Sequence, residues 1–190
     1  MTTARDCEDG VAAGRSAELA VREAACGGVI RGQIRAQLVP RLGATAFGEA
    51  GAGHVKQVTT WHSNIGGKHA GEHNAAYRAR FPDVSDDLYY SAIRESINAL
   101  ALAIEKAKST DPGKVAAALE NLVFEDDSGE VYMRADNHQL VQPLYISTLV
   151  KANGKNARFD VEKTGLGFRT DARIEGKDTV MPTTCKFQRP

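Results

Sequence analysis

The run Ser85-Asp86-Asp87-Leu88-Tyr89-Tyr90-Ser91-Ala92-Ile93 opens the segment, residues 85–150, from which the fold is most legible. Further along come Ser109-Thr110-Asp111-Pro112-Gly113-Lys114-Val115, then Ser128-Gly129-Glu130-Val131-Tyr132-Met133-Arg134, Asn137-His138-Gln139 and Gln142-Pro143-Leu144-Tyr145-Ile146. Ser85 fits a helix N-cap, and Asp86 and Asp87 suit the positive end of the helix dipole. Tyr89, Ile93, Ile97, Leu100 and Ile104 recur at helical spacing and predict a buried face. Lys106 and Lys108 sit where a helix ends negative. Asp111 then predicts the cap of a second helix, with Pro112 at its first position. Val115, Ala118, Leu119 and Leu122 give that helix an apolar side. Asp126 to Gly129 reads as a turn. Val131 and Met133 alternate with Tyr132 and Arg134, as in a half-buried strand. Asp136 to Gln139 turns again, and Leu144 to Val150 reads as the next strand.

Working outward, Val55 to Trp61 reads as a strand, rich in Val, Thr and Trp. Gly48, Gly51 and Gly53 precede it as a turn; their spacing is not that of a dinucleotide-binding loop. Asn64-Ile65-Gly66-Gly67 breaks the strand. A short helix is expected from Gly71 to Phe81, ending before Pro82. Downstream, Ala152 to Lys155 reads as a turn and Arg158 to Val161 as a short strand. The tail from Gly165 reads as mostly irregular.

Composition bounds the function classes. The 190 residues carry 24 basic and 24 acidic side chains, so the formal charge is zero. Nothing in that balance favours nucleic acid, which calls for a basic surface. No apolar run reaches the roughly 20 residues of a spanning helix, so membrane insertion is not expected. The first residues are acidic and lack the apolar core of an export signal. Cys7, Cys26 and Cys185 are widely spread, without metal-ligand spacing, and read as incidental thiols. Before Phe47 there is no Phe, Tyr, Trp, His or Lys. Aromatic side chains supply much of a core's area. Residues 1–45 therefore read as a helical or disordered extension, or as a mis-started or frame-shifted reading of a GC-rich gene; the second is preferred.

One motif suggests chemistry. His69-Ala70-Gly71-Glu72-His73 fits the His-x-x-Glu-His pattern of inverted zinc peptidases. On a helix, His69 and His73 share a face at i, i+4, and Glu72 stands as general base. Against this reading, Gly71 interrupts the helix, and no third ligand is evident. His54 and His138 lack spaced partners. There is no Gly-x-Ser-x-Gly elbow and no phosphate-binding Gly-x-x-x-x-Gly-Lys loop. No enzyme and no cofactor are expected.

Several pieces, taken in order, resemble the C-terminal portion of branched-chain amino acid ABC transporter substrate-binding proteins, the leucine/isoleucine/valine-binding family. They are Ala50-Gly51-Ala52-Gly53-His54-Val55-Lys56, Trp61-His62, Asn74-Ala75-Ala76-Tyr77-Arg78, Ala103-Ile104-Glu105-Lys106-Ala107, Gly129-Glu130-Val131 with Met133-Arg134, Asn137-His138-Gln139 with Pro143-Leu144-Tyr145-Ile146, and Thr183-Thr184-Cys185-Lys186. The resemblance covers residues 46–190 and leaves 1–45 unmatched. It implies an α/β architecture, an incomplete periplasmic-binding-protein type I fold with parts of two Rossmann-like lobes around a cleft. Residues 46–62 would be the end of lobe two and a hinge, 63–128 part of lobe one, and 129–190 a hinge and the return to lobe two. It implies a small aliphatic amino acid as ligand, an inner-membrane ABC permease as partner, and the periplasm as location. Without an export signal, the chain as written would stay in the cytoplasm. Trp61 and His62 at the hinge, and Ser85, Asp86 and Tyr89 at a helix start, would lie nearest the cleft. With the family's lobe-one strands and most of lobe two upstream of these residues, the chain alone is expected not to bind its ligand.

Overall fold

The computed structural model describes residues 34–36, 47–67, 69–82, 88–161 and 163–184. In chain order these form β1 (Ile34–Ala36), β2 (Val55–Thr59), α1 (Ala70–Arg80), α2 (Leu88–Ala107), α3 (Pro112–Leu119), β3 (Val123–Asp126), β4 (Gly129–Met133), β5 (Leu140–Val141), β6 (Leu144–Lys151) and β7 (Leu166–Ile174). Two sheets result, one ordered β1-β2-β6-β7 and the other β3-β4-β5.

In the four-stranded sheet β1 runs parallel to β2, with Ile34 opposite Val55. Residues 34–36 fall in the aromatic-poor stretch before Phe47, so part of that stretch joins the sheet. Strand β2 runs antiparallel to β6, with Lys56 opposite Thr148 and Thr59 opposite Tyr145. Between β6 and β7 the register passes from Ile146–Ala172 to Ser147–Thr170. Asp171 is thus the extra residue of a bulge, the usual way to bend a strand pair. Its carboxylate accepts from the Thr148 hydroxyl and, at 2.9 Å, from Arg169. Beneath this sheet Val55, Leu149 and Leu166 form a small core, with Phe47, Val161 and Phe168 half-buried around it.

The second half is helical on one side. Asp111 Oδ1 accepts from the Lys114 backbone N–H at 3.0 Å and Pro112 takes the first turn, as expected for α3. Val115, Ala118 and Leu122 are buried together with Ala99 and Ala103 of α2 and with Phe124 and Val131 of the small sheet. A two-residue hairpin turns at Asp127–Ser128, with Asp126 opposite Gly129. Gly129 stands at φ 108°, which side-chain-bearing residues rarely adopt. Ser128 closes the turn by donating its backbone N–H and its hydroxyl to Asp126 Oδ1, both at 2.6 Å.

Three local expectations are corrected. Residues 158–161 form no strand. Their backbone is held by Asn64 instead, whose Oδ1 accepts from Arg158 N at 2.9 Å and Phe159 N at 2.8 Å while its Nδ2 donates to Phe159 O. One amide side chain replaces a neighbouring strand. The tail after Gly165 is not irregular: residues 166–174 are the nine-residue β7. Its charged Arg169, Asp171 and Arg173 disguise the alternation, because its outer part faces solvent. The face of α2 carrying Ile93, Ile97 and Leu100 is not buried; these side chains are 59%, 63% and 49% exposed. Glu95, Ala99 and Ala103 point inward instead. The N-cap expected at Ser85 lies outside the described residues.

Candidate functional site

The place where the two halves meet is built from the connection between β2 and α1 and from the β3–β4 hairpin. Strand β2 ends at Thr59, whose hydroxyl donates to the Trp61 carbonyl at 2.9 Å. Trp61 and His62 then pass into the interior, 3% and 2% exposed. The Asn64–Gly67 loop leads on to α1. Gly67 stands at φ 90°, and a Cβ there would lie 3.4 Å from the Asp127 carbonyl. Glycine thus lets the loop lie against the β3–β4 hairpin. Between these connections lies a cavity of about 350 Å³, lined by Ile65, Gly67, His69, Asp127, Tyr145 and Arg173 among others.

The acidic hairpin is the electrostatic centre of the junction. Asp127, with a fully buried side chain, accepts from Arg94 of α2 and pairs with His73 of α1, each at 2.5 Å through Oδ1. Glu95 of α2 is buried as well, at 8% exposure. Burial, followed by the neighbouring Asp126 carboxyl, pushes Glu95 up to about 9. On the other wall Arg173 lies over the Tyr145 ring, 5.8 Å from its centre. Helix α1 ties both halves together, since Arg78 near its end reaches the Asp160 carboxylate at 3.2 Å.

The residues singled out from sequence fall in different places. His62 has both ring nitrogens engaged: Asn64 N donates to Nδ1 at 3.2 Å, which leaves Nε2 to donate to Thr170 Oγ1 at 3.1 Å. Its ring meets Tyr145 edge-on. Burial lowers its pKa to about 4, so it is neutral at physiological pH. Tyr89 lies in the first turn of α2. Ser85 and Asp86 lie outside the described residues, as do Cys7, Cys26 and Cys185.

His69 and His73 do share a face, with rings 5.8 Å apart and nearly parallel. The zinc reading nevertheless finds no support. His73 Nδ1 is committed to buried Asp127, and Glu72 sits 3.8 Å from His69 with its side chain 74% exposed. Among the described residues no group of three or more His, Cys, Asp or Glu is placed to hold a metal ion. The sequence reading missed the junction cluster. Asp126 and Asp127 read as solvated turn acids, and Glu95 sat between two isoleucines of the presumed buried face. The signal was the pairing of Asp126-Asp127 with Arg94-Glu95, but its meaning needs the tertiary contact.

The sequence profile of the family described as periplasmic binding protein matches residues 10–155. That match begins well before residue 46, inside the stretch expected to be unmatched. Among curated protein sequences none matches. Among solved structures, the chain resembles the closed leucine-, isoleucine-, valine-, threonine- and alanine-binding protein of Brucella ovis with a TM-score of 0.76 at 19% identity, over 90% of this chain and 44% of that one. It resembles a leucine binding protein of Thermotoga maritima with a TM-score of 0.63 at 22% identity, over 85% and 42%. It resembles an ABC transporter solute binding protein of Rhodopseudomonas palustris, solved with p-hydroxybenzoic acid, with a TM-score of 0.63 at 16% identity, over 84% and 41%. The chain thus spans less than half the length of each. These likenesses correct the cytoplasmic expectation: kinship with periplasmic solute-binding proteins supports a periplasmic location. The chain belongs to the periplasmic binding protein family and carries part of its type I α/β fold, with portions of two lobes meeting at the hairpin junction.

Proposed function

We propose that these residues serve, within a binding protein, as a substrate-binding component of an ABC-type importer for branched-chain amino acids, delivering its solute to an inner-membrane permease. The observation that carries this reading is the likeness to the Brucella ovis protein over 90% of the chain. Trp61, His62, Ser85, Asp86 and Tyr89 are proposed to lie at its hinge and cleft. The solute class is the least constrained part, because similar folds are solved with an amino acid binder's name and with p-hydroxybenzoic acid. The 190 residues alone are proposed not to hold a solute. An amino acid needs both charged ends desolvated and paired between opposing walls. Isothermal titration with leucine, isoleucine and valine at millimolar concentration checks both parts. No saturable heat is expected from the 190-residue chain, and saturable heat from the longest reading frame that contains it. Heat from the short chain would overturn the non-binding part. Silence of the long one toward all three amino acids would overturn the ligand class.

A further inference from the structure

Helix α2 presents one face that is largely open to solvent. Ile93, Ile97 and Leu100 are 59%, 63% and 49% exposed along it. Ile104, half-buried against the core, continues the line. The steps are four, three and four residues, the alternation of seam positions in a coiled coil. Ser96 and Ala101, both exposed, flank the line with small side chains and leave room for another backbone to approach. The Ser96 hydroxyl donates to the Ala92 carbonyl at 2.8 Å, so dehydration of this face would cost it little. The face is also uncharged. Between Ile93 and Ile104 the charged side chains are Arg94 and Glu95. Arg94 is bonded to Asp127 at 2.5 Å, and Glu95 is buried.

We propose that this face joins two copies of the chain, with α2 packed antiparallel against its counterpart across a twofold axis. The axis falls between Ile97 and Leu100. Ile97 then meets Leu100 of the partner subunit, and Ile93 meets Ile104 of the partner subunit. Each seam residue so finds an apolar one opposite, which is the self-complementarity a twofold contact requires. The antiparallel direction also sets the positive end of each helix dipole beside the negative end of the other. Charge favours a second copy over a charged partner. An uncharged face offers such a partner nothing to pair with, and a chain of formal charge zero does not repel its own copy. A contact one helix wide and about 16 Å long is smaller than the roughly 800 Å² per partner of a standard stable interface. The pair is therefore weak, populated in concentrated solution and dispersed on dilution. It is independent of solute capture and goes beyond it.

The test is sedimentation equilibrium of the chain from about 10 micromolar to about 1 millimolar. The average mass is expected to climb from one chain toward two. Ile97→Lys, at a position already 63% exposed, should weaken pairing at least about tenfold, because the symmetry buries the new charge twice. Met181→Lys, at an exposed side chain outside α2, should leave pairing unchanged. Mild oxidation of an equimolar mixture of Ile97→Cys and Leu100→Cys chains, followed by peptide mapping, reads the helix direction. The expected disulfide joins position 97 of one chain to position 100 of the other. A single-chain mass at every concentration overturns the proposal and leaves the face to another occupant, such as the rest of a longer polypeptide. Pairing that survives Ile97→Lys overturns it as well, and so do disulfides that join only like positions.

Discussion

Helices α2 and α3 are neighbours, and both are rich in apolar residues, yet they use them in opposite ways. Helix α3 is short, begins at a satisfied Asp111 cap and turns Val115 and Ala118 onto its partners. Helix α2 is 20 residues long and packs through Ala99, Ala103, Leu102 and Ile104, while Ile93, Ile97 and Leu100 stand in solvent. A helix apolar on nearly every side is ordinarily enclosed on every side. One covered face and one open face on the same helix show that periodicity identifies apolar surface without saying which part of it is covered.

That contrast can be broken most directly in the cores. Leu149→Ala, at a fully buried site, is expected to cost about 2–5 kcal/mol of stability. Ile97→Ala on the open face of α2 is expected to change it by less than about 0.5 kcal/mol. Urea denaturation of both variants checks the pair, and an equal loss would show that the open face is covered in solution. His62 offers the next largest effect. Folded, its pKa is about 4; unfolded, it is the ordinary 6.5. The unfolded chain therefore binds a proton first, and stability present above pH 6.5 is lost as pH falls to 4, by about 3 kcal/mol. His62→Phe should flatten that limb of a thermal-melt pH series. Asp111→Ala should cost about 1 kcal/mol, and Asp111→Asn nearly nothing, in the same urea assay. The smallest change in stability and the clearest change in behaviour should come from Ile93→Lys with Ile97→Lys. Light scattering is expected to show less self-association than in wild type, because the contiguous apolar surface is gone.

The sequence made α3, the hairpin at Asp126–Gly129, β4 and β6 readable, because caps, turn residues and alternation are local signals. Strand β7 was hidden by Arg169, Asp171 and Arg173, charged residues in its solvent-facing part, where the bulge at Asp171 also interrupts the pairing with β6. Asn64 could not be read at all. Its three bonds to Arg158 and Phe159 span more than 90 positions in the chain, and a lone Asn before Ile-Gly-Gly signals only a turn. At the junction the residue types were visible and the arrangement was not. His62 was visible just after a strand, but its packing against Tyr145 and its bond to Thr170 are tertiary facts. Asp127 became an anchor for His73 and Arg94 only through the meeting of α1, α2 and the hairpin.

Strand β7 borders the four-stranded sheet with alternating charges. Arg169 is clasped by Asp171 and Arg173 by Glu175, 3.1 Å away. A further strand arriving at this border would have to strip water from these ion pairs and follow a backbone bent at Asp171. The rim therefore refuses recruits, much as lysine-studded and bulged borders do in other sheets. Chains that stick to one another through this molecule must do so somewhere greasier than this border.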